Sequence, residues 1–315
     1  GLRRRAVRVV VSGGLGNQLF QYAGAKWLAT KLSAPLKIDA RLPDFNARHG
    51  HFFYDEFRVE GPVLRTNSKS SLSSILARLE IALFHRLSLV FRNRGAGQAI
   101  PGFHKALLGY DENFSRLSRP VVFRGYLQTH RYADEIREAL LPLFKLRDPS
   151  NWFLQLERES SEKRVLFLHV RRGDYVRSSK TLGLLSIDYY QAAIEELSSR
   201  GFSWDEIWIF SDSVSQVSQE LANLDLYGPV IFIEPPKASS PAESLVLMSK
   251  CSLGVIANST FSWWGAYSSN TLEAVVAPKK WFRAKPDPLE ICPETWIRVD
   301  SSWVSTVAGS SSSEN

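Results

Sequence analysis

The stretch Arg164-Val165-Leu166-Phe167-Leu168-His169-Val170-Arg171-Arg172-Gly173-Asp174-Tyr175 decides how the chain is read. A run apolar at successive positions, not at alternate ones, is a strand covered on both faces and belongs inside a parallel sheet. The arginines, glycine and aspartate that follow directly then lie at the carboxyl edge of that sheet, where helix N-termini and loop amides converge and open α/β sheets bind their ligands.

Working outward, further strands are predicted at Glu206–Phe210, Val230–Glu234, Leu253–Ala257 and Ala274–Ala277, with helical patterns between them. After Ser186, Tyr190, Ala193, Ile194 and Leu197 share one helix face, and Gly201 ends that helix. Ser240-Pro241-Ala242-Glu243 reads as a capping box with proline at the first helical position. The charged stretch Lys145 to Lys163 reads as the crossing between domains. Upstream, Val7 to Val11, the turn Ser12-Gly13-Gly14-Leu15-Gly16-Asn17-Gln18, a helix bearing Phe20, Ala23, Trp27, Leu28 and Leu32, and the strand Leu36-Lys37-Ile38-Asp39 form a β-α-β unit that Pro35 punctuates. That turn is a partial dinucleotide fingerprint. Asp39 follows where a ribose carboxylate would, but Leu19 holds the place of the third glycine, so an NAD- or flavin-dependent oxidoreductase is a distant alternative.

Between Gly61 and Phe103 the pattern loosens. Leu72, Ile75, Leu76, Leu79, Leu83, Phe84 and Leu87 make an amphipathic helix flanked by Arg78, Arg86, Arg92 and Arg94. It is expected to pack on its own domain; the alternative is peripheral contact with a membrane surface, as suits an enzyme working on lipid-linked acceptors.

With 315 residues, 44% hydrophobic and 12% aromatic, the chain has ample apolar material for two packed domains, which excludes a disordered or fibrous protein. A net charge of +7, without a nucleic-acid-binding motif or a zinc spacing, suits a phosphorylated small ligand better than a nucleic acid. Two cysteines, Cys251 and Cys292, argue against a disulfide framework and for a reducing compartment. No run of 18 uncharged apolar residues is present. Met248 is the sole methionine, so Gly1 is not a natural initiator and a Golgi-type anchor ahead of it stays open.

Three loops after predicted strands are polar: His169 to Tyr175, Ser211-Asp212-Ser213, and Asn258-Ser259-Thr260-Phe261-Ser262. Arg171 and Arg172 are guanidinium forks placed for a phosphate; the bland reading is a salt bridge to Asp174. Asn258 to Ser262 open a helix whose amides and hydroxyls can hold an anion, or simply cap it. Trp263 and Trp264 read as core, and His169 is balanced between a core histidine and a ligand contact. Together the loops describe a diphosphate pocket.

Gly13 to Tyr22, Gly125-Tyr126-Leu127-Gln128 with Arg131-Tyr132, His169 to Tyr175, and Asn258 to Trp264 with Ala266-Tyr267 resemble the bacterial α-1,2-fucosyltransferases of glycosyltransferase family 11, in order, over about Val7 to Trp296. The resemblance implies an α/β fold of GT-B type, two Rossmann-like domains facing a cleft: residues 1–155 on the acceptor side, 156–303 binding GDP-fucose, and 304–315 a disordered tail. It implies inverting, metal-independent transfer of L-fucose from GDP-β-L-fucose to a galactoside hydroxyl, in α-1,2 linkage, on a glycan such as an O-antigen or its lipid-linked precursor. No cofactor is implied. The chain lacks an Asp-x-Asp motif, so Arg171 and Arg172 would neutralise the departing diphosphate.

By the same similarity, Gly14, Gly16, His169, Arg171, Arg172, Asp212, Asn258, Ser259, Thr260, Phe261 and Ser262 would bind the donor. His169 and Asp212 would contact guanine, Arg171 the β-phosphate, and Asn17 the phosphate or the fucose. Tyr126 and Gln128 are expected on the acceptor side, or as domain-interface residues. Arg171, Asn17 and Asp174 are the candidate catalytic residues; as general base, Asp174, Asp39, His49 and His51 stay open. A GDP-sugar-binding protein without turnover, or a fucosyltransferase of another linkage, are the other readings. Asn258-Ser259-Thr260 is also a glycosylation sequon, and a glycan there would block the donor pocket, which favours a cytoplasmic bacterial enzyme.

Overall fold

The computed structural model describes residues 5–41, 51–65, 102–173, 180–222 and 224–305, and residues 72, 75–76, 78–80, 82–83 and 86. The chain divides into two units. The first takes Gly1–Phe153, Ala238–Val246 and Pro288–Pro293; the second takes Leu154–Lys237, Leu247–Asp287 and Glu294–Asn315.

In the first unit, β1 (Val7–Val10), β2 (Leu36–Asp39), β3 (Val63–Leu64), β4 (Phe103–Lys105) and β5 (Val122–Arg124) form a sheet in the order β3-β2-β1-β5-β4. Every pairing is parallel. β1 is central because Val7, Val9 and Val10 are fully buried. Helix α1 (Leu15–Lys31) lies against β1 and β2, and Leu19, Phe20, Tyr22, Ala23 and Leu28 are buried around its whole circumference. Successive strands run outward from β1 on one side and return to it through β4 and β5 on the other. The carboxyl ends of β1 and β5 therefore flank a topological switch point, which brings the Gly13 turn beside residues 125–128.

The second unit holds β6 (Val165–Val170), β7 (Glu206–Ser211), β8 (Val230–Phe232), β9 (Leu253–Val255), β10 (Ala274–Pro278) and β11 (Ile297–Val299), ordered β11-β10-β9-β6-β7-β8 and parallel throughout. Counted from β6 this is the 3-2-1-4-5-6 order of nucleotide-binding sheets, with its switch point between β6 and β9. The five predicted strands are present; β11 was not predicted, because three half-buried residues carry too little pattern. Further helices are α2 (Asn151–Glu162), α3 (Ile187–Ser199), α4 (Val214–Leu221), α5 (Pro241–Met248) and α6 (Thr260–Tyr267). The α3 residues Tyr190, Ala193, Ile194 and Leu197 are buried on a helix that packs on β9, β10 and β11, and Gly201 leaves the helix at φ +84°. Trp263 and Trp264 are fully buried, as expected of core.

Two local expectations fail. Ser240 Oγ does accept from Ala242 N, but the Glu243 carboxylate receives Ser150 N and Oγ and does not complete a capping box. The apolar side chains of the helical residues between 72 and 86 do not pack on their domain: Leu72, Ile75, Leu76, Leu79 and Leu83 are all exposed. Amphipathic periodicity specifies an apolar face but not what covers it.

Candidate functional site

At the β6–β9 switch point the second unit gathers His169, Arg171, Asp212 and the start of α6. β6 and β7 pair in register from Val165↔Glu206 to Val170↔Ser211, so the residues just beyond them, Arg171 and Asp212, are neighbours. Arg171 Nε lies 3.2 Å from Asp212 Oδ2. The other carboxylate oxygen, Oδ1, accepts from Arg172 N at 2.8 Å. Gly173 permits this approach, since a Cβ there would lie 2.8 Å from Asp212 Oδ2.

Successive arginines are used differently. Arg172 is 1% exposed. Its Nε donates to Glu220 on α4 at 2.8 Å, and its Nη1 donates to Arg171 O and Leu185 O at 2.8 and 3.0 Å. The guanidinium thus fastens the loop after β6 to α4 and to the segment before α3. Arg171, with a side chain 20% exposed, retains access to solvent. Neither Glu220 nor Leu185 was legible as a partner, since both are distant in sequence from Arg172.

His169 is 4% exposed, its ring 5.8 Å from that of Phe261, and its Nδ1 is buried without a hydrogen bond to any described residue. Burial pushes the imidazole down to about 3; the Arg171 guanidinium acts in the same direction, and Asp212 opposes both. His169 is therefore uncharged at neutral pH, and one ring nitrogen can donate while the other accepts.

In the third loop, Asn258 is 1% exposed, and its Nδ2 reaches Leu182 O, Gly183 O and Trp281 O at 3.1, 3.2 and 3.1 Å. The amide ties the loop after β9 to the 182–183 turn and to the segment after β10, so the folded chain presents no accessible sequon there. Ser259 is the N-cap of α6 and accepts from Phe261 N, and Ser262 is fully buried, with Oγ donating to Ser259 O. Thr260 and Phe261 are the partly exposed residues of this loop, at the positive end of α6.

The first unit has its own polar cluster at the β1–β5 switch point. Gly13 has φ +79°, and a Cβ there would lie 2.9 Å from Asn17 Nδ2 and 3.4 Å from the Tyr126 ring. Asn17 Oδ1 accepts from Gln128 Nε2 at 2.8 Å. Gly14 is the N-cap of α1, and Gly16 is buried within its first turn. Two residues missed as site builders hold this turn: Gln21 accepts from Ser12 N, and Gln18 Nε2 donates to Gly13 O at 2.9 Å and His51 O at 3.1 Å. Both glutamines are fully buried in an otherwise apolar helix, which was the available signal.

The structure separates the general-base candidates. Asp39 is fully buried and engaged by Arg41 Nε and Nη2 at 2.8 and 2.6 Å, so it is withdrawn from proton transfer. His51 is half-exposed, its Nδ1 3.0 Å from Glu56 Oε1. Asp174 and His49 lie outside the described residues, as does the tail from residue 306. Among the described residues no His, Cys, Asp or Glu cluster could hold a metal ion, and no helix is long and apolar enough to cross a membrane.

Two parallel Rossmann-like sheets with polar loops at their switch points define a glycosyltransferase-like α/β architecture of GT-B type. The crystal structure of the NodZ α-1,6-fucosyltransferase soaked with GDP-fucose, an enzyme from Bradyrhizobium, matches with a TM-score of 0.51 at 14% identity, covering 90% of this chain and 100% of that one. The glycosyl transferase family 11 model matches residues 99–297, and the chain belongs to that family. It is 29% identical over 299 residues to an alpha-1,2-colitosyltransferase of Escherichia coli, covering 92% of this chain and 97% of the relative. It is 30% identical over 307 residues to the O-antigen biosynthesis glycosyltransferase WbnK of Escherichia coli, covering 92% and 99%.

Proposed function

We propose that this family 11 glycosyltransferase moves L-fucose from GDP-β-L-fucose to the 2-hydroxyl of a galactoside, on a glycan or its lipid-linked precursor, with inversion and without a metal ion. The observation that carries the reading is the pairing of Arg171 with Asp212 beside the uncharged His169 at the β6–β9 switch point. Arg171 neutralises the charge that develops on the departing diphosphate, and the N-terminus of α6 at Thr260 adds its amides and dipole. Each Asp212 oxygen keeps a lone pair for donors on the guanine edge, and neutral His169 offers a hydrogen bond without repelling Arg171.

The turn at Gly13 and Asn17, with Tyr126 and Gln128, is assigned to the transferred sugar and its acceptor. His51 is assigned as general base. Its link to Glu56 through Nδ1 leaves Nε2 to take the acceptor proton, and Gln18 holds its backbone beside the Gly13 turn.

The test is GDP release from GDP-fucose in EDTA, with and without lactose, followed by linkage analysis. Lactose-stimulated release giving an α-1,2 product supports the reading; GDP binding without turnover on a broad acceptor panel replaces it with a binding protein. The name of the colitosyl relative favours a second donor. Colitose is L-fucose without its 3-hydroxyl, so parallel assays with the two GDP-sugars decide between them.

A further inference from the structure

Among the described residues of the first unit, those between 72 and 86 carry the largest set of exposed apolar side chains. Leu72, Ile75, Leu76, Leu79 and Leu83 are 72, 46, 53, 61 and 57% exposed. At 3.6 residues per turn all five fall within an arc of about 100°. Isolated exposed leucines are ordinary on protein surfaces; five on one stripe mark a docking face.

The charges around the stripe say what it meets. Arg78 and Arg86 are exposed on the same helix. The one acidic residue, Glu80, is occupied: it accepts from Arg8 and from Arg41 Nη2 in the body of the unit, which holds the helix by the flank next to Leu76. From residue 66 to 100 the sequence has five basic residues, Lys69, Arg78, Arg86, Arg92 and Arg94, against Glu80 alone, which is more than half of the chain's net +7. An apolar stripe bordered by arginines and free of unengaged carboxylates is complementary to a bilayer with anionic headgroups: the leucines enter the acyl boundary and the guanidinium groups meet phosphate.

We propose that this helix docks the protein on an anionic lipid bilayer. The inference does not depend on which sugar is transferred.

The full chain is sedimented with phosphatidylcholine–phosphatidylglycerol vesicles and with phosphatidylcholine vesicles, at low and high salt. Binding is expected with the anionic vesicles at low salt, falling about tenfold or more on neutral ones. The triple variant Leu76→Gln, Leu79→Gln, Leu83→Gln retains helix-forming side chains and is expected to lose vesicle binding while turning over a soluble acceptor at the wild-type rate. Should it misfold, Arg78→Glu with Arg86→Glu keeps the stripe and is expected to remove the salt-sensitive part of the binding. Failure of the wild-type protein to bind anionic vesicles overturns the proposal, as does binding unchanged in both variants. A dimer seen by light scattering and dissolved by the leucine substitutions would also overturn it, with a second copy covering the face. Vesicle binding is read without turnover, so it stands or falls apart from the assigned reaction.

Discussion

Gln128 donates to Asn17 Oδ1 at 2.8 Å across 111 positions of sequence, joining the loop after β5 to the first turn of α1. The bond exists because β5 lies next to β1 in the sheet although three strands, β2, β3 and β4, come between them along the chain. It fixes the Asn17 amide in one orientation. Gln128→Met keeps the volume and removes the donor. The expected result is a stability loss of about 1 kcal/mol with a raised acceptor KM, while slow hydrolysis of GDP-fucose in the absence of acceptor is unchanged. Thermal denaturation and initial-rate kinetics measure both.

Replacing Arg171 by alanine removes a partly exposed charge whose partner, Asp212, keeps its backbone hydrogen bond from Arg172 N. The fold should survive. Turnover should fall by about 10² to 10³, the usual effect of deleting one preorganised group that stabilises transition-state charge. Near-normal GDP release from a folded Arg171→Ala protein would remove the assigned role.

Arg172→Ala should do the reverse, acting first on stability. It strips Glu220 of its ion-pair partner, leaving it the bond from Gln216, and removes the Arg172 donor from Leu185 O and Arg171 O. A loss of about 3 kcal/mol is expected, read as a lowered denaturation midpoint. Arg172→Lys should recover little of it, because one ammonium cannot reproduce the guanidinium fork.

For His51 and Glu56 the expectation is a kcat effect. His51→Asn should lower kcat by about 10² or more with little change in donor KM, and Glu56→Gln should lower it less, since the imidazole remains. Partial rescue of a His51→Gly protein by added imidazole distinguishes proton transfer from a structural defect. Equal activity in His51→Asn and wild type would return the base assignment to Asp174 or His49.

Acid should destabilise the protein in two stages. The folded-state value of His169 is depressed to about 3, whereas in the unfolded chain it takes up a proton below about 6.5. The unfolded state therefore binds more protons as pH falls through that window, and stability declines. Asp111 is also depressed: burial alone would raise it, but hydrogen bonds from His104, Phe114 N and Leu107 N outweigh burial. Its contribution is complete above the ordinary carboxylate value near 3.9 and is lost as pH falls further. Urea midpoints between pH 7 and 3 should fall less steeply in the upper window for His169→Gln, and the wild-type His169 ring should show no NMR titration near pH 6.5.

The buried strands, the alternation with helices and the polar loops after β6, β7 and β9 were legible because apolar runs and turn residues are local signals. The roles within those loops were not. Arg171 and Arg172 are chemically identical neighbours, yet one is wedged against Glu220 and the other borders Asp212. Asn258 reads as an anion ligand and instead gathers three carbonyls. Asp39 reads as an available carboxylate and is sealed by Arg41.

What the amino-acid order determined by itself is where apolar strands end and polar loops begin, since burial free energy follows from the spacing of side chains along the chain. Only the tertiary structure decided which guanidinium, amide or carboxylate is consumed by partners and which is left facing solvent. Those partners sit up to 111 positions away, and whether a polar side chain holds the fold or meets a substrate depends on hydrogen bonds that chain order alone does not display.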